Sequence, residues 1–446
     1  MEKTVIPMTR RLAGFIAGYN AGGIPSVVYE HAKVAFLDWL GVTLGGKEDP
    51  LVKKVIAYSE LMGGNEQATI LGYGVKKSLE QAALINGSAS HALDFDDTLA
   101  ASLGHPSVTL FPSLLALGEW QGRSGIDFLT AYVIALKAAA VIGTCAGLPH
   151  YMSGCHATAT IGHLASAAAC ARLLELNEQQ TVFALGIAGT QAAGLKRVFG
   201  TMCKPFHAGR ASQAGLTAAL LAKEGFTSAE DILEGPHGFF AVLKGEVNEG
   251  VLESLGKTWE IEALAQKYHA SCHATHSPIE AVMCLMETHR IKPRDVREIK
   301  VFVSQLALDA AGKLAPTSGL EGKFSIPYCV VNAILRGDTG MTAFTDEKVR
   351  DAEVAEYMKK VKLEHEKGFV GLEARVVLVD NGGEEYVKTW DILKDIPDLE
   401  TKRRKIGDKF SDLCRAVLGD TKTRKLRDQV LSLEKLDAMP KIIEQI

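Results

Sequence analysis

The sequence predicts a mainly α protein with a smaller α+β unit in its second half. Three observations lead there. Up to about residue 255 the chain runs in helix-length stretches rich in Ala, Gly and Leu, several of them opened by capping signatures. After about residue 255 the pattern changes to period-two alternation with a glycine-turned hairpin. From Lys402 onward the chain is helical in pattern again and strongly charged. A length of 446 residues suggests about two or three domains. Apolar residues at 47% and charged residues at 23% give enough core to make disorder a poor description of the chain.

Taken in order, Ser124-Gly-Ile-Asp127 opens a helix with a capping-box pattern, Asn177-Glu-Gln-Gln180 a second, and Thr227-Ser-Ala-Glu230 a third. The helix through Gly215 to Glu224 stops at Gly225, where glycine makes a left-handed cap easy. Small residues on so many helix faces let backbones approach closely, which favours a packed bundle. Glu298 to Val303 alternates as a strand does, Thr345 to Lys360 reads as helix, and Ala374–Val379, Asn381-Gly-Gly383 and Glu385–Trp390 read as a hairpin. The basic run Lys402-Arg-Arg-Lys405, with Asp408 and Asp412 nearby, reads as a solvated helix face.

Composition excludes several classes of function. Lys plus Arg number 49 and Asp plus Glu 53, a net charge of −4, so no basic excess points to nucleic acid. The most apolar stretch, Leu129 to Leu148, carries Lys137 near its middle and meets Pro149, which argues against a membrane span. The N-terminal segment through Asn20 is broken by glycines and reads as no signal peptide. Eight cysteines stand without a Cys-x-x-Cys pair, so zinc ribbons and cluster motifs lose support and reduced thiols in a cytoplasmic core are expected.

Polar residues gather in five places. His91-Ala-Leu-Asp94-Phe-Asp96-Asp97-Thr98 with Gly104-His105-Pro-Ser107 holds carboxylates, histidines and hydroxyls that are costly to bury without partners. Three readings fit it: an Asp orienting a catalytic His beside a substrate-binding Thr, an oxygen-rich metal site, or helix capping. Gly154-Cys-His156 precedes an Ala-rich helix, where positive backbone dipoles would lower the pKa of the imidazole and favour its base form, although a structural His fits as well. His163, further into that helix, reads as a core histidine. Lys204, His207 and Arg210 bring cations to a helix start in a way that can hold carboxylates, a surface charge cluster being the plainer alternative. Lys267-Tyr-His269-Ala-Ser-Cys272-His273-Ala-Thr-His276 lacks the second ligand cluster of a structural zinc site and reads as a base, His276, with a nearby cation, Lys267. Cys272 reads as a lining residue. Tyr328, after Ser325-Ile-Pro, offers a phenol as acid or donor, with a buried core Tyr as the ordinary alternative.

In this order the strings resemble the MmgE/PrpD family: His91 to Thr98, Gly104-His-Pro-Ser107, Gly154-Cys-His156, Gly200-Thr-Met-Cys-Lys204-Pro-Phe-His207-Ala-Gly209, Phe226 to Gly235, Cys272 to His276, Lys323-Phe-Ser-Ile-Pro-Tyr328 and Lys409-Phe410. The resemblance covers nearly the whole chain. It implies a large all-helical domain built from both chain ends, residues 1–255 and 396–446, and a smaller α+β lid domain, residues 256–395. It also implies a homodimer that needs no metal or organic cofactor and acts on a small carboxylate substrate. Carried over position by position, it implies catalytic roles for Asp94, His156, Lys204, His276 and Tyr328, and substrate binding by Thr98, His105, His207 and Lys267. Two positions depart from the family pattern: Lys137 stands where relatives usually carry Glu, and His273 stands in the loop before His276.

The chemistry this resemblance implies is proton transfer next to a carboxylate in a di- or tricarboxylic acid. Lys204 and Lys267 would stabilise the negative charge that develops, His156 or His276 would move the proton, Asp94 would orient or charge a histidine, and Tyr328 would donate a proton. The expected activity is a cofactor-independent lyase, with 2-methylcitrate or citrate dehydration or cis-aconitate-type decarboxylation as the reaction. An epimerase or isomerase of a dicarboxylate such as iminodisuccinate is the alternative, and a non-catalytic carboxylate-binding protein a second.

Overall fold

The computed structural model describes residues 7–446 and divides into two compact units. The first takes the chain up to Gln266 together with Leu399–Ile446, and the second spans Lys267–Asp398. The first six residues of the N-terminal segment read for a signal peptide lie outside the described residues.

The first unit is a helical bundle. Its core helices are Ser26–Gly46, Leu79–Ala92, Ser107–Gln121, Gly125–Met152, Ala157–Leu173, Glu178–Gln191 and Cys203–Lys223, joined from the far end of the chain by Leu399–Val430. The caps follow the sequence closely: the Ser124 side chain accepts from the Asp127 amide, and Asn177 and Gln180 form a reciprocal box. The unit is not wholly helical, because β1 (Ala68–Ile70) and β2 (Val75–Lys77) pair as a short antiparallel hairpin. The apolar helix Gly125–Met152 is long enough to cross a membrane, but 94% of its most apolar window is buried inside the unit. All eight cysteines are free thiols.

Several expectations need correction. Thr227–Glu230 opens no helix. The chain there makes turns, closed by a Gly235 N–H to Asp231 carbonyl bond of 2.6 Å, and Gly235-Pro236 leaves no room for further turns. Thr345–Lys360 forms two short helices, Asp346–Val349 and Ala352–Met358, because Asp351 caps a new start with its own side chain. The first boundary falls at 266/267 rather than 255/256, since residues 256–266 are held by the helical unit: the Lys137 ammonium bonds Ser254, Thr258 and Glu260 at 2.8, 3.1 and 2.6 Å. Lys137 thus forms an ion pair with Glu260. The second boundary falls at 398/399 rather than 395/396, where the last long helix begins. The Lys402–Lys405 run is only partly a solvated face: Lys402 is buried, Arg403 pairs with Glu30, and Arg404 is exposed.

The second unit holds a four-stranded sheet. With β3 (Val296–Val303), β4 (Val361–His365), β5 (Glu373–Asp380) and β6 (Glu385–Asp391), the order is β4-β3-β5-β6. β4 runs parallel to β3, and the other two pairs are antiparallel, with Val301 opposite Val376 and Val377 opposite Val387. The alternation in β3 buries Ile299, Val301 and Val303 on one face, and a register shift against β5 between Val296 and Glu298 breaks it before Ile299. His276–His289 and Ile326–Arg336 are the two longest helices of this unit.

Candidate active site

In the first unit the site begins where two helices cross. Leu79–Ala92 and Cys203–Lys223 meet at Gly87 and Gly209, where a Cβ on Gly209 would lie 2.2 Å from the Leu84 carbonyl oxygen and one on Gly87 2.7 Å from the Gly209 Cα. Five residues separate Gly87 from the end of the first helix, and five separate Lys204 from Gly209, about 7.5 Å of helix on each side. The crossing therefore sets the end of one helix beside the start of the other. Asp94, two residues beyond the first helix, adopts the left-handed region at φ 51°, a conformation short polar side chains tolerate better than most. Its carboxylate meets the Lys204 ammonium at 2.8 Å.

Asp96 faces the interior. Its two oxygens each lie 2.9 Å from an imidazole Nδ1, one of His91 and one of His105. Burial by itself would raise this carboxyl, but the two imidazoles outweigh burial and hold it well below the usual carboxylate range. His105 is placed by Gly104, which passes so close to the start of the Ala157–Leu173 helix that a Cβ there would sit 3.0 Å from the Thr158 nitrogen. The His105 amide then donates to Thr158 Oγ1 at 3.1 Å. Asp97 belongs to the frame of the site. It accepts from the Ser107 hydroxyl and, at 3.3 Å, from the Ser107 amide at the start of the next helix; burial pushes its carboxyl up to about 8.

His156 occupies the N-cap position of the Ala157–Leu173 helix and is 3% exposed. Burial first, and then the nearby His91, Lys204, His105 and His207, lower its pKa and keep it neutral. The helix start contributes in the same direction. Its Nδ1 lies 3.0 Å from Nδ1 of His207, so one of the two rings donates and the other accepts. The Phe199 ring packs edge-on against His156 at 4.9 Å. Thr98 is set by main-chain bonds in both directions with Ala265, each 2.9 Å.

The second unit carries its own cluster. His276 opens the His276–His289 helix at 0% exposure; burial, then His269, His273 and Lys267, lower its pKa strongly. Its Nε2 lies 3.4 Å from the Ser271 carbonyl. His269 is held by Thr339 Oγ1 at 2.7 Å and by Glu280 at 3.3 Å. Lys267 is buried. Tyr328 is fully buried, its phenol donates to the Ala343 carbonyl, and burial raises its pKa to about 12.

Within the first unit, Asp94, His105, His156, Lys204 and His207 are gathered by contact, and Thr98 lies on the same loop. The partner assignment differs from expectation: Asp94 serves Lys204, and the carboxylate that orients histidines is Asp96. Asp96 and His91 were readable as polar residues of one string, but only the backbone turn at Asp94 decides which carboxylate faces inward. Arg210 does not join Lys204; its guanidinium bonds Gln213 on the same exposed face. Ligand atoms of His91, Asp94, Asp96 and His105 all lie within 4.8 Å of one another, a spacing a metal ion could use. The Lys204 ammonium already supplies positive charge at Asp94, so this donor set suits a cation poorly at one of its corners.

The MmgE/PrpD N-terminal domain matches residues 10–249 and the MmgE/PrpD C-terminal domain residues 269–435. A cis-aconitate decarboxylase of Aspergillus terreus is 26% identical over 467 residues, covering 98% of this chain and 95% of the relative. A cis-aconitate decarboxylase-like protein of Aspergillus oryzae is 26% identical, covering 96% and 94%. The cis-aconitate decarboxylase of Mus musculus is 28% identical over 377 residues, covering 80% and 76%. With both domain models matched in order along most of its length, the chain belongs to the MmgE/PrpD family.

Proposed function

We propose that the chain is a cofactor-independent lyase acting on a small di- or tricarboxylic acid, with loss of CO₂ from a cis-aconitate-like acid as the leading reaction. The observation that carries this reading is the Lys204–Asp94 ion pair at 2.8 Å, set beside neutral His156 and the His91–Asp96–His105 triad. The names of the relatives favour decarboxylation over dehydration.

In this reading a substrate carboxylate shares the Lys204 ammonium with Asp94, and Thr98 adds a hydroxyl. Breaking the C–CO₂ bond leaves its electron pair on the adjoining unsaturated carboxylate system. Lys204 stabilises that charge, an effect worth about 3 kcal/mol for one well-placed donor. A proton relayed through the His156–His207 pair then quenches the carbanion. Lys267, His276 and Tyr328 are proposed as further functional residues, and a homodimer as the working form.

The test is a panel of 2-methylcitrate, citrate, cis-aconitate and iminodisuccinate followed by proton NMR in deuterated buffer, with and without a chelator. The expected result is CO₂ loss with one deuterium in the product, unaltered by the chelator. Water loss would make the chain a dehydratase. Deuterium in recovered substrate alone would make it an epimerase. Binding without turnover would leave a carboxylate-binding protein, and activity abolished by the chelator and restored by metal would overturn cofactor independence.

A further inference from the structure

Of two buried lysines on the last long helix, one reaches the loop that carries the candidate carboxylates and the other reaches the segment paired to that loop at Thr98. Lys402 and Lys409 lie seven residues apart on Leu399–Val430, two turns along one face. Lys409 Nζ donates to the Phe95 carbonyl at 2.6 Å, between Asp94 and Asp96, and lies 3.8 Å from the centroid of the Phe95 ring. Asp38 balances its charge at 2.6 Å. Lys402, 1% exposed, donates to the Glu262 and Leu264 carbonyls at 3.0 and 3.2 Å. The next residue, Ala265, is the one whose main chain pairs with Thr98 in both directions. A buried ammonium is costly unless its hydrogen bonds are satisfied, and an apolar side chain of similar size would pack here at less electrostatic cost. Lys409 instead commits its ammonium to the Phe95 carbonyl and Asp38, inside the loop, and Lys402 commits its own to two carbonyls of the segment whose next residue pairs with Thr98 at the loop's end.

We propose that Lys402 and Lys409 are positioning residues that hold the Asp94–Thr98 loop in its working geometry, Lys409 acting on the chemical step through Asp94 and Asp96 and Lys402 on substrate binding through Thr98. This rests on the function proposed for that loop. The experiment compares the full-length chain with Lys409→Met, Lys402→Met and the exposed control Arg404→Met. Turnover is measured on whichever acid of the panel is consumed, and backbone hydrogen exchange is followed over residues 94–105. A displacement of about 1 Å at a catalytic group can cost about 10²-fold. Lys409→Met is accordingly expected to lower kcat by about 10²-fold with KM little changed, and Lys402→Met to raise KM by roughly tenfold, as losses of supporting contacts do. Both should speed exchange over 94–105, and Arg404→Met should do neither. Should Lys409→Met fail to fold, Asp38→Asn loosens the same ammonium at constant shape and is expected to give a smaller kcat loss with faster exchange. Folded variants with wild-type kinetics and unchanged exchange overturn the proposal, as does an activity loss that only follows a lower melting temperature. If the wild-type chain turns over none of the acids, the functional reading fails by itself, and the exchange data alone still decide whether the two lysines hold the loop.

Discussion

Asp94 carries a φ of 51° so that its carboxylate reaches Lys204, whereas Asp96 turns inward between His91 and His105. The string Asp94-Phe-Asp96-Asp97 shows in sequence that carboxylates gather; it does not show that one faces a cation, one faces two imidazoles and one caps a helix. That division depends on a backbone turn and on burial, neither of which residue types encode locally. Asp96→Asn keeps the volume but removes the charge between the two rings. The expected loss in kcat is about 10²-fold or more, the range of a positioned acid or base, with melting changed far less than activity. His207 faces Nδ1 of His156 at 3.0 Å, a contact that sets which nitrogen of His156 holds the proton. His207→Gln retains a hydrogen-bonding group and His207→Phe does not. Turnover should fall in the order wild type, Gln, Phe, with about tenfold between the extremes and the smaller change in KM; equal activity of the Gln and Phe variants would remove His207 from proton relay.

Helices are the level at which the sequence spoke most clearly. Ser124 and Asn177 sit at N-caps, Gly225 ends its helix at φ 88°, and the hairpin of β5 and β6 has its turn where Asn381-Gly-Gly383 stands. These signals are local: a side chain bonding the first turn, or a residue free to adopt positive φ. Thr227–Glu230 failed because a capping pattern says nothing about how far the helix can run, and Gly235-Pro236 came too soon. Lys402 was misread for the converse reason, since a basic run in sequence cannot show that a distant segment offers its carbonyls. The crossing of Leu79–Ala92 with Cys203–Lys223 was likewise visible only as an abundance of small residues. It predicts that Gly209→Ala, whose methyl would meet the Leu84 carbonyl oxygen at 2.2 Å, destabilises the fold by about 1–3 kcal/mol and lowers turnover with it by separating Asp94 from Lys204. Gly18→Ala, at a helical position with nothing within 4 Å, is the control. It should be neutral or stabilise by up to about 1 kcal/mol in urea unfolding.

For the whole molecule, the buried titratable groups set how stability depends on pH. Burial lowers the pKa of His31, to about 4, and of His150, His156, His163, His207 and His276. In the unfolded chain each takes up a proton near the ordinary histidine value of about 6.5. The stability these neutral rings provide is therefore complete above that value and is lost as pH falls toward each folded value, because the unfolded state binds more protons. Asp97 acts in the opposite sense. Burial raises it to about 8, so its contribution is complete below the ordinary carboxylate range and is lost as pH rises through about 8. Each fully unbalanced proton changes stability by about 1.4 kcal/mol per pH unit. Several histidines outweigh one carboxyl below pH 6.5; between about 6.5 and 7.5 Asp97 acts against little opposition, and nearer 8 it is opposed by Lys402, whose ammonium burial lowers to about 8. Urea unfolding midpoints measured from pH 4 to pH 8 should thus pass through a maximum near pH 6.5, with a steep acid side and a shallow alkaline side. Asp97→Asn, which cannot ionise, should flatten the alkaline side and leave the acid side steep. A midpoint that rises steadily from about pH 6.5 to 7.5 in the wild-type chain, below the range where Lys402 titrates, would show that Asp97 is ionised in the folded protein and that the buried frame behind the candidate site is charged.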